Sequence, residues 1–346
     1  MIWALRAPLS LTLSIAVAVS CSATTPPTLP SPTASARVSA APSVATSIGP
    51  RLGSADRPIV MAFMPSAETA HITASGKAIA ASLEKATGLQ WAVRVPDSYG
   101  DVVDGLCSGR IDVAWLDALD HVLAQQENCA ELLLATERYD QDHKLSATTT
   151  SQIFVRGDSG LRTIADLKGK RSAFGDPLSL SATLFPMLKV KQETGQDPRS
   201  FFSSTVFTSG PADTVLAVYQ GSVDAGASFV DARTLVEKRF PDIMQRTTVI
   251  ATAGPIPNDT VSIRRSFPAD LRGRIQKALL DYATSDAGTT ALKSLYGIDG
   301  LAKADPKSYD SVLEAVKAAG LRISDLQKDA AATATPAPTP SASAAP

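Results

Sequence analysis

The chain has 346 residues, with 33 Lys and Arg against 34 Asp and Glu, and a formal net charge of −1 at pH 7. This near balance argues against nucleic acid or an anionic membrane surface as a partner, because both attract strongly basic surfaces. Residues 57–328, between two low-complexity ends, are enough for a sizeable core and are near the size at which one core divides into two.

The first twenty residues have the pattern of a secretory signal. Arg6 precedes a short apolar run, and small residues lead up to Cys21. Such a run is too short to span a bilayer, and the cysteine at its end resembles a lipobox. We therefore expect a lipoprotein signal peptide over 1–20, lipid on Cys21 and an extracytoplasmic location on the bacterial cell membrane. A plain signal peptide with an incidental cysteine is the alternative.

Two further segments are rich in Pro, Ser, Thr and Ala and carry little charge. They cover residues 21–56 and 329–346. Such a composition cannot bury a core. We expect a tether over 21–56 and a disordered tail over 329–346.

Between these ends, apolar strands alternate with helical patterns, which is typical of an α/β fold with a mostly parallel sheet. Turns rich in Gly and Pro separate the elements. The predicted strands are 58–63, 89–95, 111–116, 148–156, 170–174, 204–208, one that follows the turn at 221, 247–253 and 260–264. The predicted helices are 72–87, 102–106, 118–126, 164–167, 182–191, 213–220, 235–240, 268–285, 288–295 and 309–319.

One short unit occurs twice in the chain. A glycine turn, an apolar residue and an aspartate lead into a strand at 109–114 and again at 221–226. The repetition fits two similar α/β lobes better than one continuous sheet. We expect the two aspartates, Asp112 and Asp224, to be structural.

Two cysteines, Cys107 and Cys129, remain after Cys21. An even pair outside the cytoplasm favours a disulfide. The three histidines show no ligand spacing with these cysteines, so no metal site is expected.

A helix start follows the strand at 170–174. Ser179 and Ser181 open this helix, whose first backbone N–H groups have no acceptor within it. Such an end can hold an anion through those groups and the helix dipole. An ordinary serine cap that binds nothing is the alternative.

Three aspartates also occupy the ends of predicted strands, where ligands bind in open α/β sheets. Asp117, Asp231 and Asp259 would favour a cationic group in the ligand if they converge on one cleft. Each has a structural alternative. Asp117 is also a candidate helix cap, Asp231 a solvated helix-start acid and Asp259 a turn residue.

Six short motifs occur in the order that they take in one family of binding proteins. They are YGDVVDGL at 99–106, GRIDVAWL at 109–116, IFVRGDSG at 153–160, DLKGK at 166–170, FGDPLSLS at 174–181 and IPND at 256–259. In these motifs, which cover about 59–320, the chain resembles the substrate-binding component of ABC importers for phosphonate, phosphite and phosphate. The resemblance implies a type II periplasmic-binding fold, with a ligand cleft between two lobes and two crossing hinge strands. Lobe I would be 57–148 and 257–328, and lobe II 149–256.

The same resemblance implies roles for individual residues. The family's aromatic wall falls on Tyr99, although plain packing is an equal alternative, and its anion-holding helix start falls on Ser179 and Ser181. The carboxylates that meet a ligand ammonium group in aminoalkylphosphonate binders fall on Asp231 and Asp259. The chain departs from the family's pattern at four positions, Leu180, Ala182, Pro211 and Thr149. Leu180 lacks the hydroxyl donor that the family has there. Pro211 has no hydrogen-bond donor where the family has a histidine.

We therefore expect an extracytoplasmic solute-binding lipoprotein of an ABC importer that binds phosphonate, phosphite, phosphate or a related small oxyanion, including one that carries an amine, and delivers it to a membrane permease. The expected partners are this ligand, the permease subunits and, through the lipid, the membrane; the protein is expected to be a monomer that uses no cofactor and binds no nucleic acid. The alternatives are an unrelated cationic or organic solute and a ligand sensor. An enzyme is not expected, because the sequence indicates no nucleophile with a base and no dinucleotide or phosphate-binding loop.

Overall fold

A computed structural model describes residues 50–64 and 69–326 of the chain; the side chain of Tyr99 is not described. The expected signal peptide over 1–20, the lipidated Cys21, most of the tether and the tail over 329–346 therefore lie outside the described residues. No helix in the described ranges is long and apolar enough to cross a membrane.

The described chain alternates strands and helices along most of its length. The strands are β1 Ile59–Phe63, β2 Trp91–Arg94, β3 Val113–Leu116, β4 Ala130–Tyr139, β5 Leu145–Ser146, β6 Thr148–Arg156, β7 Arg171–Phe174, β8 Ser204–Phe207, β9 Ala225–Phe229, β10 Thr247–Pro257, β11 Thr260–Arg264 and β12 Gly300–Ala302. The α-helices are α1 Thr69–Thr87, α2 Tyr99–Ser108, α3 Ala118–Gln126, α4 Phe185–Thr194, α5 Pro198–Phe201, α6 Pro211–Tyr219, α7 Thr234–Glu237, α8 Ile243–Arg246, α9 Ala269–Ala283, α10 Asp286–Tyr296 and α11 Asp310–Ala318. Short 3₁₀ turns cover Ala165–Leu167 and Pro306–Tyr309, and a π-helical turn covers Leu180–Leu184.

The strands form two sheets, one in each of two lobes, and the predicted two-lobe α/β fold is confirmed. The first sheet has the order β12-β4-β11-β3-β1-β2, with β5 paired to β4, and the second has the order β10-β6-β9-β7-β8. The prediction of mostly parallel sheets is wrong. β11 runs antiparallel to both β3 and β4, and β6 runs antiparallel to both β9 and β10. Two of these pairs flank the passages of the chain between the lobes: β4 lies before the first passage and β11 after the return, and β6 and β10 are the first and last strands of the second lobe.

The repeated glycine–aspartate unit has the same structure in both lobes. Asp112 accepts the backbone N–H of Val60 at 2.9 Å and pairs with Arg264 at 2.7 Å. Asp224 accepts the backbone N–H of Arg171 at 2.9 Å and pairs with the guanidinium of the same residue at 2.8 Å. Each aspartate thus joins the start of one strand to its neighbour, as expected of a structural residue.

Two chain crossings connect the lobes. The chain enters the second lobe at the start of β6 and leaves it at the end of β10, where Thr148 and Pro257 are paired across the two strands. Asn258 follows at once and is buried. Its side-chain amide donates to the backbone oxygen of Thr136 at 3.1 Å and of Ser146 at 2.9 Å. Its own backbone oxygen accepts the hydroxyl of Tyr309 at 2.9 Å.

Helix α11 packs against both lobes, which differs from the expected assignment of 257–328 to lobe I alone. One apolar core joins α11 to α3 of the first lobe and to α4 of the second. Its buried members are Ala118, Leu119, Val122, Leu123, Leu184, Phe185, Leu188, Ala253, Ile256, Tyr309, Val312, Ala315, Val316 and Leu326. The apolar stripe of α11 at 312, 315 and 316 is wide enough to cover both partners.

The folded domain also begins earlier than the expected boundary at 57. Leu52 is buried in the core of the first lobe. Gly53 follows with a φ of 85°, and a Cβ there would lie 2.7 Å from the Leu89 side chain. Its carbonyl accepts the N–H of Gln90 at 2.9 Å. Residues 51–57 therefore form part of the lobe and not of a tether.

The predicted disulfide is present in the structure. Cys107 at the end of α2 is bonded to Cys129, which lies just before β4, with 4.6 Å between their Cα atoms. The bond ties α2 to the segment that follows α3.

Candidate functional site

A cleft of about 610 Å³ lies where the two lobes and the two crossings meet. It is bounded by the start of α3, the turn between β7 and α4, and the end of β10. Polar and charged lining residues are Asp117, Asp120, Arg138, Thr149, Asp176, Ser179, Ser181, Asn258 and Asp259, and apolar ones are Ala118, Leu119, Leu123, Leu178, Leu180, Ile256, Pro257 and Leu326. Four predicted site residues, Asp117, Ser179, Ser181 and Asp259, thus line one cleft.

The predicted helix start forms one wall. Ser179 caps the π-helical turn, because its hydroxyl accepts the N–H of Ala182 at 3.1 Å. The hydroxyl of Ser181 has no hydrogen-bond partner within the described residues. As the first residues of the helical turn, Leu180 and Ser181 have N–H groups with no acceptor inside the helix. This wall can therefore offer three donors to an anion, and a fourth if the Ser179 hydroxyl also donates.

The β7 end lies very close to this turn. A Cβ at Gly175 would lie 2.6 Å from the Cβ of Ala182. Ala182 stands where the resembled family has glycine, so the glycine at 175 leaves room for the methyl group. The substitution at 182 is thereby accommodated without moving the helix start.

The apolar part of the lining includes residues with substantial free surface. Leu178 is 40% exposed and precedes the helix start. Leu180 lines the cleft and packs against the interlobe core. The departure at 180 therefore places an apolar side chain where the family has a hydroxyl, which suits an organic substituent more than a bare inorganic anion.

The opposite wall carries two neighbouring carboxyl groups at the first turn of α3. Asp117 caps the helix, since its Oδ1 accepts the N–H of Asp120 at 2.8 Å. Asp120 was not predicted as a site residue; it is 8% exposed and lines the cleft beside Asp117. Burial and the Asp117 charge raise the pKa of Asp120 to about 9. Burial, with a smaller effect of the Asp259 charge, also raises the pKa of Asp117.

A buried polar network holds α3 in place behind this wall. His121 shares a hydrogen bond of 2.8 Å between its Nδ1 and the Ser262 hydroxyl, and that hydroxyl lies 2.7 Å from the hydroxyl of Thr260. Burial lowers the pKa of His121 to about 4, so the imidazole is neutral at physiological pH.

Asp259 reaches the cleft as an ion pair. Its Oδ2 lies 2.8 Å from a guanidinium nitrogen of Arg138, and both side chains are just over one-third exposed. Arg138 also donates to the backbone oxygen of Tyr296 at 3.2 Å. Asp259 therefore brings no uncompensated negative charge to a ligand.

A side chamber of about 330 Å³ adjoins the cleft on the first-lobe side. It shares Asp117, Arg138 and Asp259 with the cleft, and its other walls are Met64, Trp115, Leu116, Thr136, Thr260, Tyr296 and Ile298. The ion pair of Arg138 and Asp259 therefore stands between two cavities.

One predicted site residue, Asp231, does not line the described cleft. Asp231 forms a two-contact ion pair with Arg233, at 2.9 and 2.6 Å, that leaves both side chains largely buried. That pair lowers the pKa of Asp231. Tyr99 begins α2 behind the cap Ser98, and its side chain lies outside the described residues. Its predicted role as an aromatic wall remains a prediction.

The fold, with its cleft at the lobe crossings, is that of two-lobed solute-binding proteins. The sequence profile of the family described as "ABC transporter, phosphonate, periplasmic substrate-binding protein" matches residues 61–309. The chain therefore belongs to this family, as the sequence motifs predicted.

Curated relatives are similar over part of their length. The chain is 27% identical over 190 residues to a phosphate-import protein, PhnD, of Mycolicibacterium smegmatis, covering 53% of this chain and 58% of that protein. It is 23% identical over 217 residues to the phosphonates-binding periplasmic protein of Escherichia coli, covering 62% of each. The matches thus span about three-fifths of these relatives.

Solved structures share the fold at low identity. XAC2383 from Xanthomonas citri, solved bound to ATP, superposes with a TM-score of 0.60 at 19% identity over 77% of this chain and 98% of that chain. A binding-protein component of an ABC phosphonate transporter from Pseudomonas aeruginosa superposes with a TM-score of 0.51 at 17% identity over 80% and 96%. These likenesses support the fold.

The raised pKa of Asp120 makes stability depend on pH in a definite direction. The carboxyl ionises near 3.8 when the chain is unfolded but keeps its proton to about 9 when it is folded. Folding therefore takes up a proton between these values, and stability falls as pH rises, by at most about 1.4 kcal/mol per pH unit. We expect Asp120→Asn to flatten this slope in urea unfolding between pH 7.0 and 8.5, where His121 is neutral in the folded state and largely so in the unfolded state.

Asp197→Asn is the matched control for this experiment. Asp197 also caps a helix, but its pairing with Arg199 lowers its pKa to about 2, so it is ionised in both states over this range. The control should keep the slope of the unchanged protein. An Asp120→Asn variant with that same slope would show that Asp120 is ionised in the folded protein.

Proposed function

We propose that this protein is the extracytoplasmic receptor of an ABC importer and binds a small phosphonate-like oxyanion in the interlobe cleft. The observation that carries this proposal is the capped helix start at Ser179–Ser181, which lines the cleft of a solute-binding fold. The free N–H groups and the helix dipole both favour a negative charge at this end.

Arg138 contributes to the same cleft, but less than an isolated cation would. Its guanidinium already pairs with Asp259 at 2.8 Å. The net charge of this ion pair is close to zero, so it attracts an anion only weakly. The anion is therefore held chiefly by the donors of the helix start. The functions of the Mycolicibacterium and Escherichia relatives, phosphate import and phosphonate binding, support an oxyanion of this class.

The apolar lining favours a ligand with an organic part. Leu178, Leu180 and Ile256 lie beside the helix start, and contact with them would stabilise an alkyl substituent by about 0.8 kcal/mol for each CH₂ group removed from water. Inorganic phosphate would leave these side chains uncovered. We therefore place organophosphonates ahead of inorganic oxyanions as ligands.

The family's members are the binding components of transporters and not enzymes. The proposal accordingly assigns this protein to capture and delivery: it would hand its ligand, as a monomer, to a membrane permease. Lipid on Cys21 and the Pro- and Ser-rich tether would keep it near that permease.

The oxyanion role predicts a loss of affinity without a loss of stability when the Ser181 hydroxyl is removed. A thermal-shift screen with methylphosphonate, propylphosphonate, phosphite, phosphate and methanesulfonate would first identify a ligand. For that ligand, Ser181→Ala should weaken binding about 10- to 150-fold in calorimetry, because a hydrogen bond to a charged group contributes about 1.5–3 kcal/mol. The unfolding midpoint should not change, since this hydroxyl has no partner within the described protein.

Two cap variants serve as controls. Ser179→Ala removes both a cleft hydroxyl and a helix cap, so it should lose affinity and about 1 kcal/mol of stability. Ser285 caps α10 through the N–H of Gly288 at 3.0 Å and does not line the cleft. Ser285→Ala should lose similar stability but no affinity. Unchanged affinity in both the Ser179 and Ser181 variants would contradict the assignment of the anion to this helix start.

The lipid anchor makes a separate prediction. In cells that express the full chain, Cys21→Ser should move the protein from the membrane fraction to the soluble fraction, because the thiol that carries the lipid is absent. Immunoblots of the two fractions measure this change. Continued retention of the variant in the membrane fraction after a high-salt wash would show that another segment anchors the chain.

A further inference from the structure

The side chamber next to the cleft combines apolar walls with a few polar groups. It has a volume of about 330 Å³ and shares Asp117, Arg138 and Asp259 with the cleft. Four of its other walls are apolar side chains, Met64, Trp115, Leu116 and Ile298, and three carry hydroxyl groups, Thr136, Thr260 and Tyr296. Apolar walls with a small number of placed polar groups are typical of sites for organic ligands.

The three hydroxyl groups of the chamber differ in their hydrogen bonds. The Thr260 hydroxyl lies 2.7 Å from the hydroxyl of Ser262, and the Tyr296 hydroxyl donates to the backbone oxygen of Met64 at 3.0 Å. Thr136 is 0% exposed, and its hydroxyl has no hydrogen-bond partner among the described residues. A buried hydroxyl that makes no hydrogen bond destabilises the folded protein, whereas a methyl group in its place would not.

Unpartnered polar atoms of this kind are few in the described chain. Within the described residues, six buried side-chain atoms lack a partner, and they belong to Ser54, Trp91, His121, Thr136, Ser228 and Arg272. Of these six residues, only Thr136 lines the cleft or the side chamber. The unpartnered hydroxyl thus coincides with the cavity that adjoins the ligand cleft, which indicates that a ligand supplies its partner.

The backbone of Thr136 is held at the lobe crossings. Its N–H donates to the backbone oxygen of Asp259 at 2.8 Å, and its backbone oxygen accepts from the side-chain amide of Asn258 at 3.1 Å. The hydroxyl is therefore attached to a fixed part of the fold, next to the residue that stands between the cleft and the chamber. A ligand that bonds to it needs little rearrangement of the protein.

We infer that the side chamber is a hydroxyl subsite, and that the cleft selects phosphonate-like oxyanions whose organic arm ends in a hydroxyl group. This inference rests on the proposed function and deepens it. The helix start at 179–181 holds the oxyanion, the apolar lining of the cleft covers the first carbons, and the arm passes the ion pair of Arg138 and Asp259. Its hydroxyl then bonds to that of Thr136, in either direction, because each group can donate and accept. Thr136 is the specificity-determining residue in this assignment.

Matched pairs of ligands test the subsite. A hydroxyl replaces the terminal methyl of butylphosphonate in 3-hydroxypropylphosphonate, and that of pentylphosphonate in 4-hydroxybutylphosphonate. In calorimetry on the unchanged protein, the hydroxylated ligand of at least one pair should bind at least as tightly as its methyl analogue. Thr136→Val should weaken the hydroxylated ligand, relative to that analogue, by about 5- to 150-fold, because the ligand hydroxyl then remains buried without a partner.

Two further variants separate this effect from damage to the fold. Thr136→Ser keeps a hydroxyl at the same position and should keep the preference of the unchanged protein. Ser228→Ala removes another buried, unpartnered hydroxyl that lines neither the cleft nor the chamber, and should also keep it. The unfolding midpoint of ligand-free Thr136→Val should not fall, since no side-chain hydrogen bond within the described protein is lost.

The possible outcomes separate this inference from the proposed function. If the hydroxylated ligand binds more weakly than its methyl analogue in both pairs, or if Thr136→Val keeps the ratio, the hydroxyl subsite is wrong while the oxyanion function stands. If no phosphonate binds but neutral 1,4-butanediol does, and binds less tightly to Thr136→Val, the oxyanion function is wrong while the hydroxyl subsite is supported. If neither the phosphonates nor the diol bind, both are wrong.

Discussion

The geometry of the whole cleft depends on the buried amide of Asn258. This side chain joins the end of β10 to the backbone oxygens of Thr136 and Ser146, and so fixes both chain crossings at one point. Losing it would leave the buried carbonyl group of Thr136 without this donor, which costs about 1–3 kcal/mol. Its chain neighbours Pro257 and Asp259 both line the cleft. The interlobe core around α11 supports the same point from behind, through the hydrogen bond between Tyr309 and Asn258.

From this fixed point the cleft acquires two unlike ends. The second lobe contributes a helix start with free donors, which attracts negative charge. The first lobe contributes the carboxyl groups of Asp117 and Asp120, whose pKa values are raised by burial. The neutral ion pair of Arg138 and Asp259 lies between the cleft and its side chamber. The donors of the helix start therefore meet little opposing negative charge in the cleft.

Much of this could be predicted from the sequence. Two lobes were indicated by the alternation of strands and helices, by the repeated glycine–aspartate turn and by the family motifs. Ligands bind at the carboxyl ends of strands in open α/β sheets, and this rule predicted that Asp117, Ser179, Ser181 and Asp259 face one cleft. These predictions succeeded because chain alternation and turn chemistry are local properties. The disulfide could be predicted because two cysteines remain after Cys21 and the expected location is outside the cytoplasm.

The remaining features depend on contacts between distant segments. Arg138 was missed because β4, an apolar run at 130–136 with a charged end, was not predicted as a strand. Asp120 looked like an interior residue of a helix, and nothing local shows that its face of α3 lines a cavity. Asp231 was assigned to the cleft from its position at a strand end and from the family resemblance, and nothing in the sequence showed that Arg233 would hold it in a buried ion pair. The apolar stripe of α11 indicated a packed helix but not that it would join the two lobes.

The central claim is that the helix start of the second lobe holds the oxyanion of the ligand. A crystal structure of the protein with propylphosphonate tests it most directly. We expect phosphonate oxygens within hydrogen-bond distance of the Ser181 hydroxyl and N–H, and the propyl chain in contact with Leu178, Leu180 or Ile256. A ligand whose phosphonate lies away from the helix start would contradict the claim.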